Sequence, residues 1–152
     1  MFSQRVRSVM EQDGMLVAAP ELKVIDAVKL LAGSRLGAVL VVQDDTLVGI
    51  FTESDAVCRV LAAGLDAASA LLSSVMTPRP ITVDPEGSFG HALLLMHRHH
   101  LRHLPVVEQG RPVGIVCARD ALDPELEEFV CEAQRREGYA EPTAVPLVLV
   151  KR

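Results

Sequence analysis

The segment Gly49-Ile50-Phe51-Thr52-Glu53-Ser54-Asp55 brings together the residue types that a small polar ligand needs. An aliphatic strand ends at Thr52 and a helix starts there, so backbone N–H groups and a hydroxyl stand at one edge. Such an end suits a phosphate. Asp55 lies one helical turn further on, and a carboxylate accepts two hydrogen bonds from the cis-diol of a ribose. Gly49, inside the strand, leaves room for a ligand or a neighbouring backbone. The same residues also read as local structure, with Thr52 as a helix N-cap and Asp55 as a first-turn acid favoured by the helix dipole. The two readings are compatible.

A second copy, Gly114-Ile115-Val116-Cys117-Ala118-Arg119-Asp120, keeps the glycine and the acid. Cys117 stands where Thr52 does in the first. A thiol is a weak hydrogen-bond donor, so contact with phosphate or ribose is weakened there. This second site either binds more weakly or stays empty, which makes the cleft with Thr52 and Asp55 the first choice. Arg119 is either a phosphate contact or a solvated arginine beside a helix end. His91, His97, His99, His100 and His103 form no recognisable ligand set with a cysteine or carboxylate, so no metal is expected. The chain lacks G-x-S-x-G, P-loop and G-x-G-x-x-G motifs, and no base stands beside Cys117 in the sequence; no enzymatic activity is expected.

The elements that position these residues repeat. A shift of 65 positions superimposes Pro20-Glu21 on Pro85-Glu86, Leu36 on Leu101, Val41-Val42 on Val106-Val107, Val48-Gly49-Ile50 on Val113-Gly114-Ile115, and Asp55-Ala56 on Asp120-Ala121. Ser8-Val9-Met10 recurs as Ser74-Val75-Met76 at a shift of 66, so one residue of length difference falls between Met10 and Pro20. Each unit starts with a short strand, Met15–Ala18 or Ile81–Val83. A helix follows, with Val24, Val28 and Leu31, or Phe89, Leu93 and Met96, at helical spacing. Then comes an aliphatic strand buried on both faces, Ala38–Val42 or Leu104–Val107. Asp44-Asp45 and Gln109-Gly110 make tight hairpin turns into Leu47–Phe51 and Pro112–Cys117. A helix closes each unit, from Glu53 or from Ala118. A unit of about 60 residues is marginal alone, so the two are expected to form one pseudo-twofold module.

The chain has 152 residues, of which 49% are hydrophobic and 23% charged, a balance that supports a packed core. Its net charge of −5, with no Trp and one Tyr, argues against nucleic-acid binding, so no DNA partner is expected. No run approaches the ~18 apolar residues that span a bilayer, and Met1–Arg7 has no apolar stretch after its charges, so neither membrane insertion nor a secretory signal is expected. Cys58, Cys117 and Cys131 show no CxxC spacing and read as reduced thiols of a cytoplasmic protein.

The Val-Met opening of each repeat, His103-Leu104-Pro105-Val106-Val107, and the two Gly-Ile-x-x-x-x-Asp segments resemble a tandem pair of cystathionine-β-synthase (CBS) domains, the Bateman module, of the stand-alone bacterial type. The resemblance covers residues 8 to 122. It implies an α/β fold of two βαββα repeats about a pseudo-twofold axis, with clefts between them that hold adenosine derivatives. It further implies a regulatory sensor of AMP, ATP, ADP, NAD or S-adenosylmethionine, AMP foremost, that needs no other cofactor. Such modules pair as homodimers and signal to a separate effector protein. The alternative is a ligand-free dimeric scaffold. By the same resemblance Arg102 and His103 supply phosphate contacts to the ligand of Asp55, and Ile81, Val83 and, in the first copy, Val17 flank the adenine.

The expected boundaries are 1–68 for the first repeat, 69–122 for the second, 123–138 for a C-terminal helix and 139–152 for a tail. Asp123 as N-cap, Pro124 at the first helical position and a stripe of Leu126, Phe129, Val130 and Ala133 mark that helix.

Overall fold

A computed structural model of the chain describes residues 4–118, together with Glu132 and Arg135. The chain divides into two compact units, Met1–Leu122 and Asp123–Arg152. In the second, Glu132 and Arg135 are helical and exposed. The rest of the expected C-terminal helix, the tail, Arg119 and Asp120 lie outside the described residues.

In the first unit, β1 (Leu16–Ala18) runs parallel to β2 (Ala38–Gln43), and β2 runs antiparallel to β3 (Thr46–Thr52). Between β1 and β2 lies α1 (Val24–Ala32), which buries Val24, Ala27 and Leu31. After β3 comes a single α-turn, α2 (Glu53–Asp55), which passes directly into a π-helical segment, Ala56–Leu61. The second repeat follows with α3 (Leu72–Val75), β4 (Thr77–Pro78), α4 (Phe89–Arg98), β5 (His103–Glu108) and β6 (Arg111–Cys117).

Both hairpins turn as their residues require. Asp44 and Asp45 have φ of 49° and 61°, and Gln109 and Gly110 have φ of 51° and 83°. Positive φ at both central residues matches the right-handed twist of the flanking strands. Each hairpin also slips register once, between Val41 and Val42 and between Val106 and Val107. The fault recurs at equivalent positions, so the repeat extends to its irregularities.

The aliphatic run of β2 is explained by what covers each face. Val39 and Val41 pack with Val24, Ala27, Leu31, Phe51 and Val60 in the core under α1. Ala38 and Leu40 face the other way, into a second core with Leu36, Ile50, Ile115 and Cys117. That second core joins the two repeats.

The opening segment of each repeat crosses to the other. β4 pairs with β3, placing Pro78 opposite Gly49 and Thr77 opposite Ile50. Reciprocally, Glu11 bridges to Ile115 on β6. The first hairpin therefore gains an edge strand from the other copy and the second a single bridge, which is the pseudo-twofold exchange of the module.

The second repeat departs from expectation at Ile81–Val83, which forms no strand. One parallel bridge remains: the Val83 N–H donates to the Pro105 carbonyl at 3.1 Å and the Val107 N–H to the Val83 carbonyl at 2.9 Å. Pro105 has no N–H to continue the ladder toward Ile81. No helix among the described residues is long and apolar enough to cross a membrane.

Candidate functional site

The end of β3 is fixed by a capping box. Thr52 is the N-cap of α2, and its backbone N–H and hydroxyl both donate to Asp55 Oδ2, at 2.8 and 2.9 Å. The Asp55 N–H returns a longer bond to Thr52 Oγ1 at 3.3 Å. The second carboxylate oxygen, Oδ1, lies 3.2 Å from Arg59 Nε one turn along. The capping reading of these residues therefore holds, and it orients the Asp55 carboxylate at the mouth of a cleft.

That cleft has a volume of about 480 Å³. One wall is Thr52, Glu53, Ser54 and Asp55, with Gly37 beside them; the second is Thr77, Arg79, Pro80 and Ile81; the third is His100 to His103 with Pro105. Five residues singled out from the sequence, Thr52, Asp55, Ile81, Arg102 and His103, thus meet at one cavity. Its third wall is delivered by the end of α4. The Leu101 N–H reaches back to the Met96 carbonyl at 2.8 Å and the His100 N–H to the His97 carbonyl at 3.2 Å. This is a Schellman ending with His100, at φ 53°, where glycine is usual.

The charges in the cleft do not cancel. Asp55 is matched by Arg59, which leaves Glu53 as the uncompensated acid among the described residues of the cleft. Against it stand Arg79 and Arg102, neither of which has an ionic partner among the described residues, with His100 and His103 alongside. Arg79 also holds φ at 45°, a left-handed conformation uncommon for a long side chain, while its N–H donates to the Val48 carbonyl at 3.1 Å.

A smaller cleft of about 220 Å³ lies on the other side of Gly37, Glu53, Arg102 and His103, which line both. Cys117 sits here with Arg35 and Ala118, its side chain 3% exposed and part of the joint core. Gly37 is what lets these groups gather. A Cβ on it would stand 3.1 Å from His103 Cε1 and 3.2 Å from Glu53 Oε2.

The family model for the CBS domain matches residues 6–61 and again 72–125. The chain is a tandem CBS-domain protein. It is 40% identical over 103 residues to the meiotically up-regulated gene 70 protein of Schizosaccharomyces pombe, covering 67% of this chain and 14% of that one. The chain spans between 14% and 59% of the lengths of the first four such relatives. Among solved structures it is similar to an uncharacterised conserved protein from Pyrococcus horikoshii (TM-score 0.72, 28% identity, 93% of this chain and 98% of that one). It also shares the fold of a CBS domain protein from Pyrobaculum aerophilum solved in complex with AMP (TM-score 0.74, 22% identity, 85% of this chain and 99% of that one).

Three residues expected at the CBS cleft lie elsewhere. Gly49 does not line it: the space its missing side chain leaves is filled by Met76, whose Cγ would stand 3.0 Å from an added Cβ. Val83 is buried, with its backbone tied to β5. Val17 is 48% exposed on β1 and borders neither cleft. Arg119 and Asp120 fall outside the described residues. Sequence reasoning missed Arg79, Glu53 and Ser54. Arg79 carried one signal, its place between Pro78 and Pro80 just after the repeated Val-Met pair. The described residues hold no group of three or more His, Cys, Asp or Glu side chains arranged for a metal ion.

Proposed function

We propose that the larger cleft binds an adenine nucleotide and that its occupancy is signalled to a separate effector protein. AMP is the first candidate; ATP, ADP, NAD and S-adenosylmethionine are the alternatives. The observation that carries this reading is the meeting of two arginines without an ionic partner among the described residues, Arg79 and Arg102, with the Thr52–Asp55 capping box around one cavity. Its volume of about 480 Å³ falls within the ~300–1,000 Å³ usual for small-ligand sites. Arg79 and Arg102 suit a phosphate, which a guanidinium binds through two parallel hydrogen bonds. Asp55 suits a ribose. Its carboxylate offers about four acceptor positions, of which Thr52 takes two and Arg59 one, leaving one for a ribose hydroxyl. Ile81 supplies the apolar contact for a purine. The AMP complex of the Pyrobaculum aerophilum CBS protein supports the choice of ligand class. Calorimetric titration with the five nucleotides tests the reading: at least one is expected to bind, and binding by none would overturn it.

A second reading, a dimeric interaction scaffold, is favoured by one feature. The π-helical segment leaves Val57 and Leu61 exposed at 56% and 73%, and Leu65 follows at 46%. Such residues fit a face covered by a second copy of the chain. Multi-angle light scattering checks this: a homodimer is expected, and Leu61→Asp should convert it to monomer. Capture of a partner that ignores added nucleotide would favour the scaffold over the sensor.

A further inference from the structure

Arg59 is not a cleft residue, yet its guanidinium touches both sides of the cleft's frame. Nε faces Asp55 Oδ1 at 3.2 Å. Nη1 donates to two backbone carbonyls, Val75 at 3.2 Å and Met76 at 3.1 Å. Those carbonyls close α3, where helix-end partial charge favours a cation. They directly precede Thr77, Arg79, Pro80 and Ile81, the second wall of the cleft. Thr52 fixes Oδ2 of Asp55 and Arg59 fixes Oδ1, so both carboxylate oxygens are held.

We infer that Arg59 is a positioning residue that clamps Asp55 to the segment carrying Arg79 and Ile81, and so sets the spacing between the ribose and phosphate ends of the cleft. This rests on the nucleotide reading given above. The ion pair alone would count for little, since the Arg59 side chain is 47% exposed. The fork geometry is what matters: a planar guanidinium reaches a carboxylate and two carbonyls at once, and a lysine ammonium on its flexible stem does not hold the same three in fixed directions. Met76 is pinned a second time, by its side chain against Gly49. The β3–β4 ladder and the Arg79 N–H on the Val48 carbonyl hold the same segment to β3, and among the described residues the Arg59 contact is what ties it to the Asp55 side chain.

The test is calorimetric titration of AMP into wild type, Arg59→Gln, Arg59→Lys, Asp55→Asn and the Arg59→Gln/Asp55→Asn double variant, with thermal melts of each. Arg59→Gln is expected to weaken AMP binding about tenfold, the low end of the loss seen when a group that orients a metal ligand is removed. The double variant should bind no more weakly than the sum of effects allows and measurably less weakly than that sum, because Arg59 acts partly through Asp55. A purely structural staple would lower the melting temperature and leave AMP affinity unchanged, and an Arg59 acting on AMP independently of Asp55 would give additive losses. Arg59→Lys keeps the charge and is expected to fold yet to bind AMP several-fold more weakly. Wild-type AMP affinity in Arg59→Lys, or additive losses in the double variant, would overturn the inference while leaving nucleotide binding intact. Failure of the wild type to bind any of the five nucleotides would overturn both.

Discussion

Met76 occupies the space that a side chain on Gly49 would need. A Cβ there would overlap the sulfur and stand 3.0 Å from Cγ and 3.2 Å from Cε. Met10 and Gly114 repeat the relationship, with Sδ at 2.7 Å and Cγ at 2.9 Å from the added carbon. These two pairs are where the repeats exchange their opening segments. Gly49→Ala is therefore expected to cost about 1–3 kcal/mol of stability through overpacking. Urea denaturation checks it, and the penalty should shrink in a Met76→Ala background.

The hairpins, both aliphatic strands and both amphipathic helices were legible because each obeys a local rule. Asp44-Asp45 accepts positive φ, and β2 is apolar at every buried position because both its faces are covered. The exchange was not legible, since nothing within Ser8-Val9-Met10 or Ser74-Val75-Met76 says that each pairs with the opposite hairpin. Gly49 illustrates the consequence. A strand glycine signals close approach, and the approaching group proved to be Met76. Arg79 escaped for a related reason: it lies in the stretch where the repeat register slips by one residue.

Thr52 and Asp55 join local structure to the cleft, so their variants should separate stability from binding. Thr52→Ala removes the cap and is expected to lower stability by about 1 kcal/mol. Asp55→Asn keeps an acceptor oxygen for Thr52 but loses the charge facing Arg59. Its thermal melt should move less than its AMP affinity, which titration on the same sample checks.

Arg79→Ala and Arg102→Ala should each weaken AMP and leave adenosine binding nearly unchanged, because only the phosphate draws on the guanidinium groups. Raising the salt concentration should narrow the difference between wild type and variant, because salt screens charge–charge contacts at an open cleft. Paired titrations with AMP and adenosine at two ionic strengths check this.

Glu86 carries a pH signature. It accepts from Arg7 Nε at 2.7 Å and also from Arg5, while Arg7 Nη2 donates to Glu108 at 2.8 Å. The Arg7 hydrogen bond, then that of Arg5, holds the Glu86 carboxyl below its ordinary value of 4.5. A carboxyl lowered on folding adds stability above its unfolded value and loses it as pH falls through the folded one. Glu86→Gln should therefore melt slightly below wild type at neutral pH, by a small margin because the groups are exposed. The gap should start to close as pH falls below 4.5 and vanish once the folded carboxyl is protonated. Melting curves across that range check it.

The most direct test of the nucleotide reading is a crystal structure of the protein grown with AMP. The nucleotide is expected in the larger cleft, with one ribose hydroxyl on Asp55, its phosphate toward Arg79 and Arg102, and its purine against Ile81. AMP bound away from these residues, or a cleft left empty at saturating AMP, would contradict that reading.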